Sequence, residues 1–357
     1  MLSTSANAVF TDSITVGNPK AISLGNAVTA DPPGIDSIHF NPAGLIKLKG
    51  RQIHTKLLYA DFSVKLELGE RDELRTRWLD LAEEAYPDKV GTDYFYDPAY
   101  NAESESEGAA MMIPGLGMTD LPLALFPLGG ASYSPPGSNM TFATNVYTPA
   151  AVGIYRAEDD PGRFIGQRLS IMMLTYFSPS VAVQVSDDLA VGAAVTFNYA
   201  GVGIELPFRS PHAAILSIPG FQETLGCDDP DSLSAEFIPL CGGLLPPYET
   251  IGTLTFEVEN PLALGFNIGF LWEPMSWLSV GAVYHAPVQM DLEGDFQWEN
   301  SDNWMAFSGP LVNDEGPVGT LFRSVGIQGQ KFTQGTATID MEMPQHYALG
   351  MLSLIHI

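Results

Sequence analysis

The chain lacks what a helical membrane protein, a nucleic-acid partner or a cysteine-stapled domain would need. A membrane-crossing helix takes about 20 consecutive apolar residues. The densest apolar stretch, LPLALFPLGGA from Leu121, is shorter and is interrupted by Pro122 and Pro127. Lysine and arginine total 16 against 42 aspartates and glutamates, for a formal charge of −26, so nothing offers to neutralise a phosphate backbone and nucleic acid is excluded as a partner. Cysteine is confined to Cys227 and Cys241, in one Pro/Gly/Asp-rich stretch. The two either close a surface loop in an oxidising compartment or stand as separate thiols. His39, His54, His212, His285, His346 and His356 have no paired ligand spacing, and the H-E-x-x-H, G-x-S-x-G and P-loop patterns are missing. These gaps point away from an enzyme, a metal centre or a cofactor. Asp228, Asp229 and Asp231 could hold Ca²⁺, but a solvated acidic turn is the commoner explanation of such a cluster.

What the chain has in quantity is alternation and turns. Charged residues are 16% and hydrophobic ones 45%, while 35 glycines and 27 prolines supply many breaks, a mixture suited to strands joined by turns. From Leu189, the residues Leu189, Val191, Ala193, Val195, Phe197 and Tyr199 fall on one face, with Ala190, Gly192, Ala194, Thr196 and Asn198 on the other. Leu262 to Trp272 alternates in the same way. A third run places Leu278, Val280, Ala282, Tyr284, Val288, Met290 and Leu292 opposite Ser279, Gly281, His285, Gln289, Asp291 and Glu293. A fourth sets Ala337, Ile339, Met341 and Met343 against Thr336, Thr338, Asp340 and Glu342. A period of two means a sheet with one apolar and one polar face.

A soluble sandwich shares this pattern, so the connections carry the distinction. SPPGSN at Ser134, VSDDL at Val185 and EPMSW at Glu273 are tight, whereas Gly69 to Thr119, Phe208 to Thr250 and Trp298 to Thr333 are long, acidic and rich in Gly and Pro. Short turns on one rim and long loops on the other are the plan of an outer-membrane β-barrel. Leu169 to Val185 and Leu189 to Leu206 exceed the roughly 9–11 residues that cross a bilayer at a tilt. Trp272, Trp277, Tyr176, Phe177 and Tyr284 near strand ends fit interfacial girdles, although a sandwich core would use them too. Within the first long loop, ELRTRWLDLAEEA from Glu73 has helical spacing.

The N-terminus carries two further signals. Ala6-Asn7-Ala8 has the small-x-small form of a signal-peptidase site, which would start the mature chain near Val9. Asn41-Pro42-Ala43, within FNPAGL, is the tripeptide that lines water channels. A single copy without membrane helices excludes that role, and Asn-Pro reads as a turn or helix start.

The stretch SLGNAVTADPPGIDSIHFNPAGL from Ser23, followed later by VYHAPVQMDLEGDF and TATIDMEMPQHYALGM, resembles the FadL family of outer-membrane transporters for long-chain fatty acids and other hydrophobic compounds. The resemblance covers nearly the whole chain, as pattern more than signature, and the extra proline in DPPG departs from it. It implies an all-β membrane antiparallel barrel of about fourteen strands with an N-terminal hatch. About eight strands are counted in this chain, which is therefore expected to be a fragment. By this resemblance residues 1–8 are the remnant of a cleaved leader, 9–49 the hatch and 50–350 barrel strands and loops. The tail 351–357 stays unassigned, an artefact of sequencing or assembly being one reading of it. Asn41, Pro42 and Ala43 then belong to the hatch, and Phe10 corresponds to a residue reaching towards the ligand pocket.

The implied activity is passive uptake of a hydrophobic molecule, docked first on outer loops and released sideways into the bilayer, by a monomer surrounded by outer-membrane lipid and LPS. Ile215, Leu216, Ile218, Phe221, Leu244 and Leu245 are the candidate docking surface; packing of that loop on the barrel rim explains them as well. A carboxylate would want a cation, and residues 208–333 offer only Arg209, Arg323 and Lys331. Glu257, Glu259, Asp291 and Glu293, expected to face the lumen, would repel an anion, which favours neutral hydrocarbons or a broad hydrophobic range over fatty acids, unless the acids serve only to solvate the loop surface. The other class of reading is a structural or adhesive barrel or a general porin, for which a forty-residue hatch is unnecessary.

Overall fold

The period-two segments pair into one large antiparallel sheet. The computed structural model describes residues 16–61, 63–70, 73–85, 87, 90–92, 95–209, 248–313, 315–324 and 329–353. Strand β1 (Gly50–Ala60) starts the wall. The first long connection carries two small antiparallel pairs, β2 (Lys65–Glu67) with β3 (Glu103–Glu105) and the hairpin β4 (Ala109–Ile113) with β5 (Gly117–Leu121). The wall resumes with β6 (Ala124–Ser134), β7 (Met140–Tyr155), β8 (Arg168–Phe177), β9 (Ser180–Ser186) and β10 (Leu189–Arg209). It continues through β11 (Thr250–Met275), β12 (Leu278–His285), β13 (Val288–Asn300), β14 (Phe332–Met343) and β15 (His346–Ser353).

Strands β8 and β9 are halves of one bent strand beside β10, β12 and β13 are halves of another beside β11, and β14 and β15 complete a third. The 11-stranded sheet therefore amounts to about eight wall strands, as the alternation leads one to expect. β1 pairs only with β6 and β15 only with β12, so each end of the sheet is an edge among the described residues. The tight turns and long connections fall on opposite rims as expected, and the helical spacing from Glu73 is a helix, Glu73–Ala85.

The lower half of the wall has an apolar outer band. Leu262, Leu264, Phe266, Ile268, Phe270 and Trp272 all stand exposed along β11, with Ile53 and Leu57 on β1 and Leu349 and Met351 on β15. Exposed apolar side chains in unbroken rows are what a lipid-facing barrel surface requires. Tyr176, Phe177, Trp272 and Trp277 are exposed at strand ends, consistent with girdle positions.

Halfway up, the phase of the pattern jumps. β10 is regular along its length, so Gly192, Asn198, Ala200 and Val202 share one face, but the partner strands are not. Asn198 pairs with Ala263 and Ala200 with Asn260, which inserts one extra residue into β11 next to Pro261. A bulge of this kind inverts every residue beyond it. The same inversion occurs at Pro149 in β7, where Tyr147 pairs with Thr175 but Ala150 with Met173. Pro287 and Pro344 separate β12 from β13 and β14 from β15. Proline has no N–H for the ladder, so each of these sites is a place where the strand can bend at little cost.

Two expectations are corrected by this jump. Val288, Met290 and Leu292 do not continue the outer face of Leu278 to Tyr284; they are buried in one apolar cluster with Met173, Ala200, Val202 and Val258. Glu257 and Glu259 pair with Gly203 and Gly201, and Glu293 pairs with Glu259, so these acids lie on the face opposite that cluster. Asp291 is in phase with Glu293 and shares that outer face. The interior of the upper sheet is apolar, and the acids expected in the lumen are outside it.

Candidate functional site

The inner face of the lower wall is filled by the N-terminal segment, residues 16–48. Asn18 caps the helix Pro19–Ser23 by accepting from the N–H groups of Lys20 and Ala21. Two short turns of helix follow, Ser37–Phe40 and Pro42–Lys47, with Asn41 between them. Its backbone N–H closes the first by donating to Ser37 O at 2.8 Å, and its side chain caps the second by accepting from Ala43 N at 3.1 Å. Pro42 occupies the first helical position, where a missing N–H costs nothing. Ala43 is fully buried. Each member of the Asn-Pro-Ala tripeptide thus has a local reason.

The segment is held to the wall through a glycine seat. Gly192, Gly269 and Gly281 lie on three adjacent strands, with Gly192 paired to Gly269. A Cβ on Gly269 would come 2.1 Å from Asn41 Oδ1, one on Gly192 would come 2.3 Å from the Pro42 carbonyl carbon, and one on Gly281 would come 2.1 Å from Thr29 O. Only bare backbone lets the segment lie this close. Asn41 Nδ2 then donates to Thr29 O at 2.8 Å and to Phe270 O at 3.0 Å, joining segment to β11. Asn267 donates to Ile38 O, and Ser279 Oγ donates to Ala30 O.

A buried polar centre ties down the other side. The Asp36 carboxylate, 1% exposed, accepts from Lys56 Nζ at 2.7 Å, Asn18 Nδ2 at 2.6 Å and Asn145 Nδ2 at 2.9 Å. Lys56 also donates to Val16 O at 3.0 Å. Near the turn rim Lys47 bridges Glu273 at 3.0 Å and Asp31 at 3.7 Å.

Above the segment, at the level of the proline breaks, lies a chamber of about 560 Å³. Its floor is His39 and Phe40, its sides include Tyr147, Thr175, Asn198, His285 and His346, and Met173, Val288 and Met343 lead up to the apolar interior. His39 sits edge-on to Phe40, Tyr147 and His285 at centroid distances of 5.0, 5.2 and 5.4 Å, and His285 is 5.6 Å from His346. Burial lowers the His39 pKa to about 4, opposed by the nearby Asp36 charge and assisted by His346, so its imidazole is neutral at neutral pH.

The wall has a gap beside this chamber. The β6–β7 ladder runs only from Gly129↔Val146 to Tyr133↔Phe142, and above it the two strands pair with other neighbours. The β4–β5 hairpin packs beside the gap, against β7, β8 and β10. Ala109 to Met112 and Met118 pack with Phe126 and Leu128 on one side and Ala151, Met172 and Tyr199 on the other. Arg168 anchors it by donating to Asp120 at 2.8 Å and to Met118 O at 3.1 Å, while Glu257 accepts from Met118 N. Glu257, Glu259 and Glu293 also line an outer groove of about 760 Å³ below the hairpin tip.

Among the residues singled out by sequence, Asn41, Pro42 and Ala43 are brought together at the seat. Arg209 is committed elsewhere, donating to Asp97 at 2.7 Å and stacking over Phe164. Lys331 bridges Asp302 and Arg323 donates to Val312 O, so neither enters the chamber. Phe10, Ile215, Leu216, Ile218, Phe221, Leu244, Leu245, Cys227 and Cys241 lie outside the described residues. Sequence reasoning missed Asp36, Lys56 and the grouping of His39 with His285 and His346. These partners are far apart in the chain and have no local spacing to betray them.

A strand wall with an apolar outer band and a filled lumen is the arrangement of a plugged β-barrel of the outer-membrane type, and no helix among the described residues is long and apolar enough to cross a membrane. Residues 2–355 match the family described as outer membrane protein transport protein (OMPP1/FadL/TodX), and the chain belongs to that family of outer-membrane proteins. The fold is similar to that of a FadL homologue from Pseudomonas aeruginosa, at 17% identity and a TM-score of 0.56 over 92% of this chain and 63% of that one. It is similar also to the toluene transporter TbuX of Ralstonia pickettii, at 15% identity and a TM-score of 0.53 over 94% of this chain and 67% of that one. The chain thus spans about 63% of the length of the first of these. No curated protein sequence matches it.

Proposed function

We propose that this protein takes up hydrophobic molecules passively across the outer membrane, with residues 9–49 as the plug. The observation that carries this reading is the continuous apolar interior from Met290, Leu292 and Val258 down to the chamber floored by His39 and Phe40. Moving apolar area from water into such a lining is favourable by about 25 cal/mol per Å², so no energy source is required for entry. A solute that reaches the floor meets a seated segment below and the β6–β7 gap at the side. Sideways exit into the bilayer is the route this arrangement favours, with the β4–β5 hairpin as the element to be displaced. The unit is taken to act as a monomer within outer-membrane lipid and LPS.

The test pins the hairpin. A Cβ on Gly203 would lie 3.3 Å from the Met118 Cβ, close to the separation a disulfide needs. In a Cys227→Ser, Cys241→Ser background, oxidised Gly203→Cys/Met118→Cys protein is expected to lose uptake of a hydrophobic probe and regain it on reduction. Uptake unaffected by the crosslink would refute the sideways route. Liposome swelling addresses the porin reading separately: a plugged protein should admit little sugar.

A further inference from the structure

The β4–β5 hairpin is docked on the wall largely by side chains. Among the described residues its two strands pair only with each other, as a separate two-stranded sheet, and a lone hairpin is marginal without support. Part of that support is apolar and non-directional. Ala110, Met112 and Met118 lie on bare glycines: a Cβ on Gly153 would overlap Ala110 O, and one on Gly203 would come 2.8 Å from the sulfurs of both methionines. The directional bonds lie along its length. At the base Gly108 and Tyr155 form an isolated bridge, with Glu107 N donating to Tyr155 O at 2.9 Å and Tyr155 N to Gly108 O at 3.2 Å. Midway, Met112 N donates to Ser170 Oγ at 2.9 Å. Towards the tip both main-chain groups of Met118 are bound by charged side chains: its N–H donates to Glu257 of β11 at 3.1 Å, and its C=O accepts from Arg168 of β8 at 3.1 Å. Arg168 is fixed to the wall by Glu205 of β10 at 3.1 Å and reaches across to Asp120 of β5 at 2.8 Å.

We propose that Arg168 and Glu257 are the latch of the sideways exit, positioning residues that hold the hairpin to the wall near its tip while the Gly108–Tyr155 bridge serves as its hinge. The inference rests on the uptake reading above, with its sideways route, and names the residues that regulate it. Hydrogen bonds with an ionised partner are roughly twice as strong as neutral ones. The bonds from Glu257 and Arg168 converge on Met118 and Asp120 of β5, so they are lost together when the tip swings away, whereas the hinge bonds at the base are kept. The hairpin touches both borders of the β6–β7 gap, Phe126 and Leu128 on one and Ala151 on the other, so release at the tip uncovers the gap. The latch is also one that can reopen. The Arg168 side chain is 22% exposed and that of Asp120 41%, and a partly wetted pair is weak enough to break and re-form.

The test separates release of the hairpin from loss of fold. Arg168→Gln removes the cation, and Asp120→Asn removes only the hairpin's end of the pair, leaving Arg168 with Glu205 in the wall. Hydrogen exchange of the full chain in detergent is expected to be at least about tenfold faster for residues 109–121 in both variants, with the β10–β11 ladder unchanged. Uptake of radiolabelled dodecane by cells expressing either variant is expected to be faster than with the wild type. Oxidising the Gly203→Cys/Met118→Cys crosslink in the Arg168→Gln protein, in the Cys227→Ser, Cys241→Ser background, should return hairpin exchange to the wild-type rate and abolish the gain in uptake, a rescue that a general loosening of the wall would not show. Wild-type exchange in both variants, or faster exchange with uptake unchanged, overturns the latch and leaves uptake of hydrophobic molecules standing. Faster exchange that spreads to the β10–β11 ladder in both variants overturns it too, because the damage then lies in the wall. Uptake by the wild-type protein no greater than in cells without it overturns the uptake reading and this inference with it.

Discussion

Asp36 of the N-terminal segment and Lys56 of β1 form an ion pair at 2.7 Å in which the carboxylate is 1% exposed and the ammonium side chain 18%. Breaking one half of such a pair is far more damaging than replacing both, because it leaves a buried charge without its partner. Lys56→Met is expected to destabilise the seated segment by about 3–5 kcal/mol. Limited proteolysis of the purified protein should cut within residues 16–48 much faster than in the wild type. Adding Asp36→Asn to that variant should restore most of the protection; a double variant as labile as the single would show that the pair does not hold the segment.

Asn41 acts at two levels, capping a helical turn and joining the segment to Phe270 O. Asn41→Ala removes two donated bonds and one accepted bond, each worth about 1 kcal/mol net. Hydrogen exchange of residues 37–47 should accelerate while the β10–β11 ladder stays protected. Barrel assembly, followed by heat-modifiable migration in a gel, should be unchanged.

The glycine seat predicts a steric effect larger than the loss of any one hydrogen bond. Gly269→Ala and Gly192→Ala each drive a methyl into the backbone or side chain of the tripeptide, at 2.1 and 2.3 Å. Both should expel the segment and raise sugar flux in liposome swelling. Gly309→Ala has nothing within 4 Å of its new methyl and serves as the control, with no change in flux.

His39 makes the seat sensitive to acid. Its folded pKa of about 4 lies below its ordinary value of 6.5, so the unseated state binds more protons between those values. Seating is fully favoured above about pH 6.5 and weakens as pH falls towards 4, by at most about 3 kcal/mol. The groups facing His39 include Asp36, whose charge opposes the shift, and His285 and His346 across the chamber. Proteolysis of the segment should therefore rise between pH 6.5 and 4.5. His39→Phe, which keeps the edge-on packing without a titrating group, should flatten that profile.

The outward position of the acids has its own consequence. Glu259→Gln and Glu293→Gln should leave binding of dodecanoate unchanged in equilibrium dialysis. A marked gain in dodecanoate binding by either variant would mean that these side chains face the ligand path after all.

Much of the fold is written in local pattern. The alternation at Leu189–Asn198 and Leu262–Trp272 gives strands whose odd or even residues meet lipid, and the tight turns at Ser134, Val185 and Glu273 set their order. The same alternation misleads above Pro149, Pro261, Pro287 and Pro344, because a reader carries the phase across a break that the chain does not respect. One added residue turns Val258 inward and Glu259 outward. The prolines are visible in the sequence, but whether a proline ends a strand, bulges it or bends it depends on what the neighbouring strand does.

By itself, then, the sequence determined the strands, their antiparallel order and the turn at Asn41-Pro42-Ala43, because each depends on residues within a few positions of one another. Tertiary structure alone decided that Gly192, Gly269 and Gly281 receive that turn, that Lys56 reaches Asp36, and that His39, His285 and His346 share a chamber. Those contacts join residues tens to hundreds of positions apart, and only strand register, which is a property of paired chains, brings them within bonding distance.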